Sequence, residues 1–119
     1  MTQTIGRSYS FEAAHSLAEI LPPNHICSRL HGHSYRLDVI IAGELENGMV
    51  RGIQFEAIDL VMENLKRLVD HHLLNEIISI PTVENISMWF AENLRRVLNV
   101  PVTVRVYEGP ISWAEASVE

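Results

Sequence analysis

His15, His31 and His33 are the residues of this chain best placed by type and spacing to do chemistry. Three neutral imidazoles plus one open position make the coordination set of a catalytic zinc ion. The residues around each histidine decide whether the three can meet. Tyr9, Phe11 and Ala13 share the parity of His15, with Ser10 and Glu12 between them. Tyr35, Leu37, Val39 and Ile41 share the parity of His31 and His33, with Arg36 and Asp38 on the other face. Side chains alternate faces along a strand with a period of two. His15 therefore ends one inward-facing row, and His31 and His33 begin another. Antiparallel pairing of these strands, joined by the loop over residues 16–30, brings the three rings to one end of a sheet. A single histidine on an apolar face is more often a packed core residue. The His-x-His pair with a third histidine at the matching strand end favours metal binding.

Three further positions carry reactive groups. Cys27 lies four residues before His31. It is an inert buried thiol, a base or nucleophile favoured as thiolate by a nearby cation, or a fourth ligand that would close the zinc site. Asp70-His71-His72 follows an apolar helical pattern. Histidine suits a helix C-terminus and aspartate does not, so Asp70 needs another reason. An Asp–His pair is a proton-transfer unit in which the carboxylate orients the imidazole. Glu108 shares the parity of Val102, Val104 and Val106 and so ends an inward-facing row. A carboxylate there needs a partner. An arginine or backbone amide would serve, as would a ligand with two adjacent N–H donors such as a pterin or guanine edge.

The elements that must position these groups follow from periodicity. Residues 5–14 and 33–45 read as strands, Glu46-Asn47-Gly48 as a tight turn, and 49–55 as a returning strand with Gly52 as a bulge. Ile58, Val61, Met62, Leu65, Leu68 and Val69 have helical spacing over residues 56–69. Thr82 after Pro81 is an N-cap, Glu84 suits the positive end of the helix, and Ile86 to Leu98 continue a second helix. Residues 100–108 form a last strand. This order predicts an α+β domain over residues 1–119, an antiparallel four-stranded sheet with two helices on one face. The edges of so small a sheet need cover, which oligomerisation can supply.

Composition narrows the function classes. The formal charge is −6 with no run of Lys or Arg, which argues against a nucleic-acid surface. The single cysteine excludes an intrachain disulfide. No apolar run approaches the ~20 residues that span a membrane, and the first ten residues lack a signal-peptide core. A cytoplasmic location is the expectation. There is no His-Glu-x-x-His protease motif and no Gly-rich phosphate loop.

Taken in order, these motifs resemble the 6-pyruvoyl- and 6-carboxy-tetrahydropterin synthase family. Phe11-Glu12-Ala13-Ala14-His15 is similar to its first zinc motif, and Cys27-Ser28-Arg29-Leu30-His31-Gly32-His33-Ser34-Tyr35 to its Cys-x-x-Leu-His-Gly-His-x-Tyr/Phe motif. Gly48-Met49-Val50, Asp70-His71-His72-Leu73-Leu74-Asn75 and Pro81-Thr82-Val83-Glu84-Asn85 match three more. The resemblance implies a tunnelling fold, or T-fold, assembled as a homohexamer of two trimers with active sites at subunit interfaces. It implies Zn2+ on His15, His31 and His33, Cys27 as general base, and Asp70 with His71 as the proton-transfer pair. It places Glu108 as the pterin anchor and Thr82 as a further pterin contact. The implied substrate is 7,8-dihydroneopterin triphosphate. The short loop around Cys27, with His25 before it, points to the branch that releases acetaldehyde and triphosphate and leaves 6-carboxy-5,6,7,8-tetrahydropterin, used toward queuosine. A 6-pyruvoyl-tetrahydropterin synthase, or a pterin- or purine-binding homologue with little turnover, is the alternative.

The chain departs from the family pattern in three places. Gln54-Phe55 stands where Asp-Phe is common, and Ala57, Ile58 and Asp59 occupy a stretch that usually holds a lysine. Gly109-Pro110 follows Glu108 in place of Thr or Ser and small residues. These changes bear on the substrate more than on the zinc site.

Overall fold

Strict alternation makes the first two strands. In a computed structural model describing residues 1–119, β1 (Gln3–His15) and β2 (His31–Gly43) pair antiparallel from Gln3 opposite Gly43 to His15 opposite His31. β2 also pairs with β5 (Val102–Glu108), with Tyr35 opposite Glu108, and β5 pairs with β6 (Ser112–Val118). The four-stranded antiparallel sheet has the order β1-β2-β5-β6. A two-residue pair, β3 (Leu45–Glu46) with β4 (Met49–Val50), forms a separate hairpin.

The apolar row of each strand faces two helices, α1 (Phe55–Val69) and α2 (Val83–Leu98). Leu37, Val39, Val104 and Val106 from the sheet meet Ile58, Met62, Ile86 and Phe90 from the helices, all at most 1% exposed. Each such side chain contributes roughly 1.5–3 kcal/mol by leaving water. Thr82 caps α2 by accepting the Asn85 N–H at 3.2 Å, and Asn99 ends it in the left-handed region. Asp59 ties α1 to β1, taking two hydrogen bonds from Arg7 and one from the Tyr9 hydroxyl. The unusual residue at this position therefore has a structural partner.

The expected T-fold architecture is present, with the fourth strand in a different place. Residues 49–55 do not return as a strand of the main sheet. Arg51 and Gly52 take φ of 51° and 68°, so the chain turns sharply after Val50 and enters α1 at Phe55. Gly52 serves this turn and is not a bulge. The fourth strand is β6, reached through a turn at Gly109, whose φ of 69° suits glycine. No helix is long and apolar enough to cross a membrane.

The sheet face away from the helices is polar and uncovered, with Ser8, Ser10, Ser34 and Arg36 exposed. The outer edge of β1 is covered only at its end. There the chain after α1 returns along it, with the Ala14 N–H bonded to the His72 carbonyl and the His71 N–H to the Glu12 carbonyl.

Candidate active site

The register of β1 and β2 brings His15 and His31 opposite each other with His33 one step further in. Ring centroids are 4.5 Å apart for His15–His31, 5.1 Å for His15–His33 and 4.9 Å for His31–His33. Their ligand nitrogens all lie within 4.8 Å of one another. Backbone carbonyls orient two of the rings: Nδ1 of His15 bonds the Pro81 carbonyl at 2.7 Å, and Nδ1 of His31 bonds that of Arg29 at 2.7 Å. A carbonyl only accepts, so Nδ1 carries the proton and Nε2 keeps its lone pair for the cavity. Burial holds the His15 pKa below its ordinary value, which favours the neutral ligand form. Nε2 of both His15 and His33 is buried without a hydrogen-bond partner. Such orphaned nitrogens fit a metal ion, and an all-imidazole set suits zinc.

Cys27 and Glu108 share the cavity of about 240 Å3 that His15, His31 and His33 line with Leu17 and Ile26. Cys27 sits in a 3-10 turn, Ile26–Ser28, which the His25 ring caps by accepting the Cys27 N–H at 3.0 Å. The Cys27 carbonyl takes the Leu17 N–H. The cysteine is not among the atoms clustered for metal binding, so the thiol stands beside the trio without closing it. Glu108 oxygens lie 3.9 Å from Nε2 of His15 and 3.7 Å from Nε2 of His33.

Asp70 and His71 do form a pair, at 3.1 Å between Oδ1 and Nδ1. They sit elsewhere, however. His71 has a φ of 59° and its side chain is 77% exposed. It lines a cavity of about 600 Å3 with Glu12, Ala14, Gly32 and Ser34, residues whose parity is that of the uncovered sheet face. Within one chain, Cys27 and His71 therefore line different cavities, with His33 bordering both. Asp70 also accepts the Glu12 N–H at 2.9 Å, and this bond, followed by His71, holds its carboxyl below the usual carboxylate range. The stabilisation is present above about pH 4 and disappears as the pH falls through the depressed folded value. Asp70→Asn is accordingly expected to melt below the parent at pH 7, with the gap closing toward pH 3 in thermal melts.

Some residues whose roles sequence reasoning missed hold this site together. Asn75 latches the start of the Cys27 loop, accepting the Ser16 N–H and donating to the Ser16 carbonyl. Asn85 donates to the Ile80 carbonyl and steadies the turn that aims the Pro81 carbonyl at His15. Both lie in motifs already singled out, yet only the fold shows what they bond.

Residues 4–119 match the model of the family described as 6-pyruvoyl tetrahydropterin synthase. The chain belongs to that family. A protein of Archaeoglobus fulgidus, provisionally assigned as a 6-carboxy-5,6,7,8-tetrahydropterin synthase, is 42% identical over 113 residues, spanning 93% of this chain and 92% of its own. The dihydroneopterin monophosphate aldolase of Pyrococcus furiosus is 34% identical over 97 residues, 82% of this chain and 77% of its own. Among solved structures, the 6-pyruvoyl tetrahydropterin synthase of Caenorhabditis elegans superposes with a TM-score of 0.87 at 26% identity, covering 100% of this chain and 97% of its own. Family membership accounts for the T-fold and for a histidine trio able to hold a metal ion.

Proposed function

We propose that this chain is a zinc-dependent lyase converting 7,8-dihydroneopterin triphosphate and water to 6-carboxy-5,6,7,8-tetrahydropterin, acetaldehyde and triphosphate. The observation that carries this reading is the set of orphaned imidazole nitrogens facing the same cavity as the Cys27 thiol and the Glu108 carboxylate. Similarity to the Archaeoglobus protein supports the 6-carboxy branch. Bound on His15, His31 and His33, zinc would polarise the side-chain oxygens of the substrate and acidify the neighbouring C–H bonds.

The protein groups then have separate tasks. Glu108 accepts two adjacent N–H groups of the pterin edge and fixes the ring. Cys27 as thiolate removes a proton from the side chain. His71, oriented by Asp70, returns or relays one. Because the two groups line different cavities of one chain, His71 reaches the Cys27 site from a second copy, in keeping with a homohexamer built of two trimers. The Thr82 hydroxyl already accepts the Asn85 N–H, so a contact with the pterin would use its own proton as donor. We place the enzyme in the cytoplasm and in the supply of the 6-carboxy pterin toward queuosine.

The Pyrococcus relative supports a second reading, aldol cleavage of a phosphorylated dihydroneopterin. Product analysis on zinc-loaded protein separates the possibilities. Acetaldehyde and a 6-carboxy pterin in equal amounts are expected. A 6-pyruvoyl pterin without acetaldehyde would make the chain a sister synthase. Release of a phosphorylated two-carbon aldehyde, with a 6-hydroxymethyl pterin left behind, would make it an aldolase. Pterin binding without any product would leave a binding protein.

A further inference from the structure

Tyr35 stands against the rings of His15 and His33, and the proposed mechanism gives it no task. It is 1% exposed, and its hydroxyl is buried with no hydrogen-bond partner. A buried phenol without a partner is unfavourable, and phenylalanine would fill the same space without that cost. Its ring stacks on Phe11 at 4.8 Å and 10°, so the ring direction is set by packing. Tyr35 is directly opposite Glu108 across the β2–β5 ladder, and both face the helix side of the sheet. The Glu108 carboxylate stands beside the phenol, and a neutral phenol is a hydrogen-bond donor. His33 and His15 stand on the cavity side, with ring centroids 5.6 Å and 6.3 Å from that of Tyr35. Their Nε2 atoms lie 3.7 Å (His33) and 3.9 Å (His15) from the Glu108 oxygens, too far for hydrogen bonds.

We infer that Tyr35 is a positioning residue for Glu108, its hydroxyl donating to one carboxylate oxygen and turning the carboxylate to take two N–H donors of a pterin-like ring. This rests on the reading of Glu108 as the pterin anchor. The geometry gives the carboxylate two competing neighbours, the imidazole edge and the phenol. A metal held by His15, His31 and His33 would occupy their free ring nitrogens and leave the phenol as the donor that fixes Glu108.

The test is Tyr35→Phe in zinc-loaded protein, alone and in a Glu108→Gln background. It is read as the KM for 7,8-dihydroneopterin triphosphate and as neopterin binding by fluorescence titration. The expected result is a rise of about tenfold in both, the effect of losing one charge-assisted hydrogen bond. The loss falls on KM rather than kcat, because a ring anchor acts on substrate and transition state alike. Zinc content stays at the parent value. In the Glu108→Gln background the same substitution adds less than about twofold, the signature of one residue acting through the other. No change in KM overturns the inference, as does an equal change in both backgrounds or loss of zinc. Failure of the parent protein to bind neopterin or turn over the pterin substrate overturns the functional reading itself, and the inference with it.

Discussion

Cys27→Ala is expected to keep its zinc and lose its chemistry. The thiol lines the cavity with the three histidines without belonging to their cluster, so about one zinc per chain should remain, counted by metal analysis. The loop should also remain, because its hold on residue 27 is made by the backbone: the N–H goes to His25 and the carbonyl to Leu17. Removing the base should lower kcat by about 10²–10⁴-fold, the usual worth of a positioned general base. Cys27→Ser, with a much weaker acid at the same place, should recover little. Loss of zinc in Cys27→Ala would mean that the thiol closes the coordination sphere and the metal is structural. Retained turnover would mean that the proton is taken by another group, with His71 from a neighbouring copy the first to examine.

The part of this site that was legible in the sequence is the part that strand geometry dictates. A period of two, once the strands pair, leaves the three histidines no choice but to converge on one face, and the register from Gln3–Gly43 to His15–His31 delivers them. Helices were legible for the same reason: α1 and α2 begin and end within a residue of where their apolar spacing and the Thr82 cap put them. What was hidden depends on backbone turns and on distant partners. Met49-Val50 followed by Ile53 and Phe55 alternates as a strand would, yet Arg51 and Gly52 adopt left-handed conformations and end it. β6 was missed because its core-side residues are Ala114, Ala116 and Val118 on an edge strand, small and only half buried, and so without a strong apolar row. The separation of His71 from Cys27 was equally hidden. It arises because the chain after α1 runs along the outer edge of β1, and no local pattern states which sheet face a loop residue will join.

The comparison of His15→Ala with His31→Ala carries the second large effect, because the two histidines are candidate ligands in different surroundings. Each should weaken zinc binding by more than about 100-fold, since even losing the group that orients a ligand costs 10–100-fold. Turnover should vanish with the metal in both. Their stability without metal should differ. His15 is 1% exposed at the end of the core, and its Nδ1 satisfies the Pro81 carbonyl just before α2. Alanine there leaves a cavity and an unpaired buried carbonyl, so the metal-free protein should lose roughly 2–4 kcal/mol in urea unfolding. His31 is only half buried at the rim and bonds the carbonyl of exposed Arg29, which water can take over. The metal-free His31→Ala protein should therefore unfold close to its parent, within about 1 kcal/mol. Undiminished zinc affinity in either variant would remove that ring from the coordination set. Equal destabilisation of both metal-free proteins would show instead that the trio is knit into the core as packing, and the case for a preformed metal centre would fail with it.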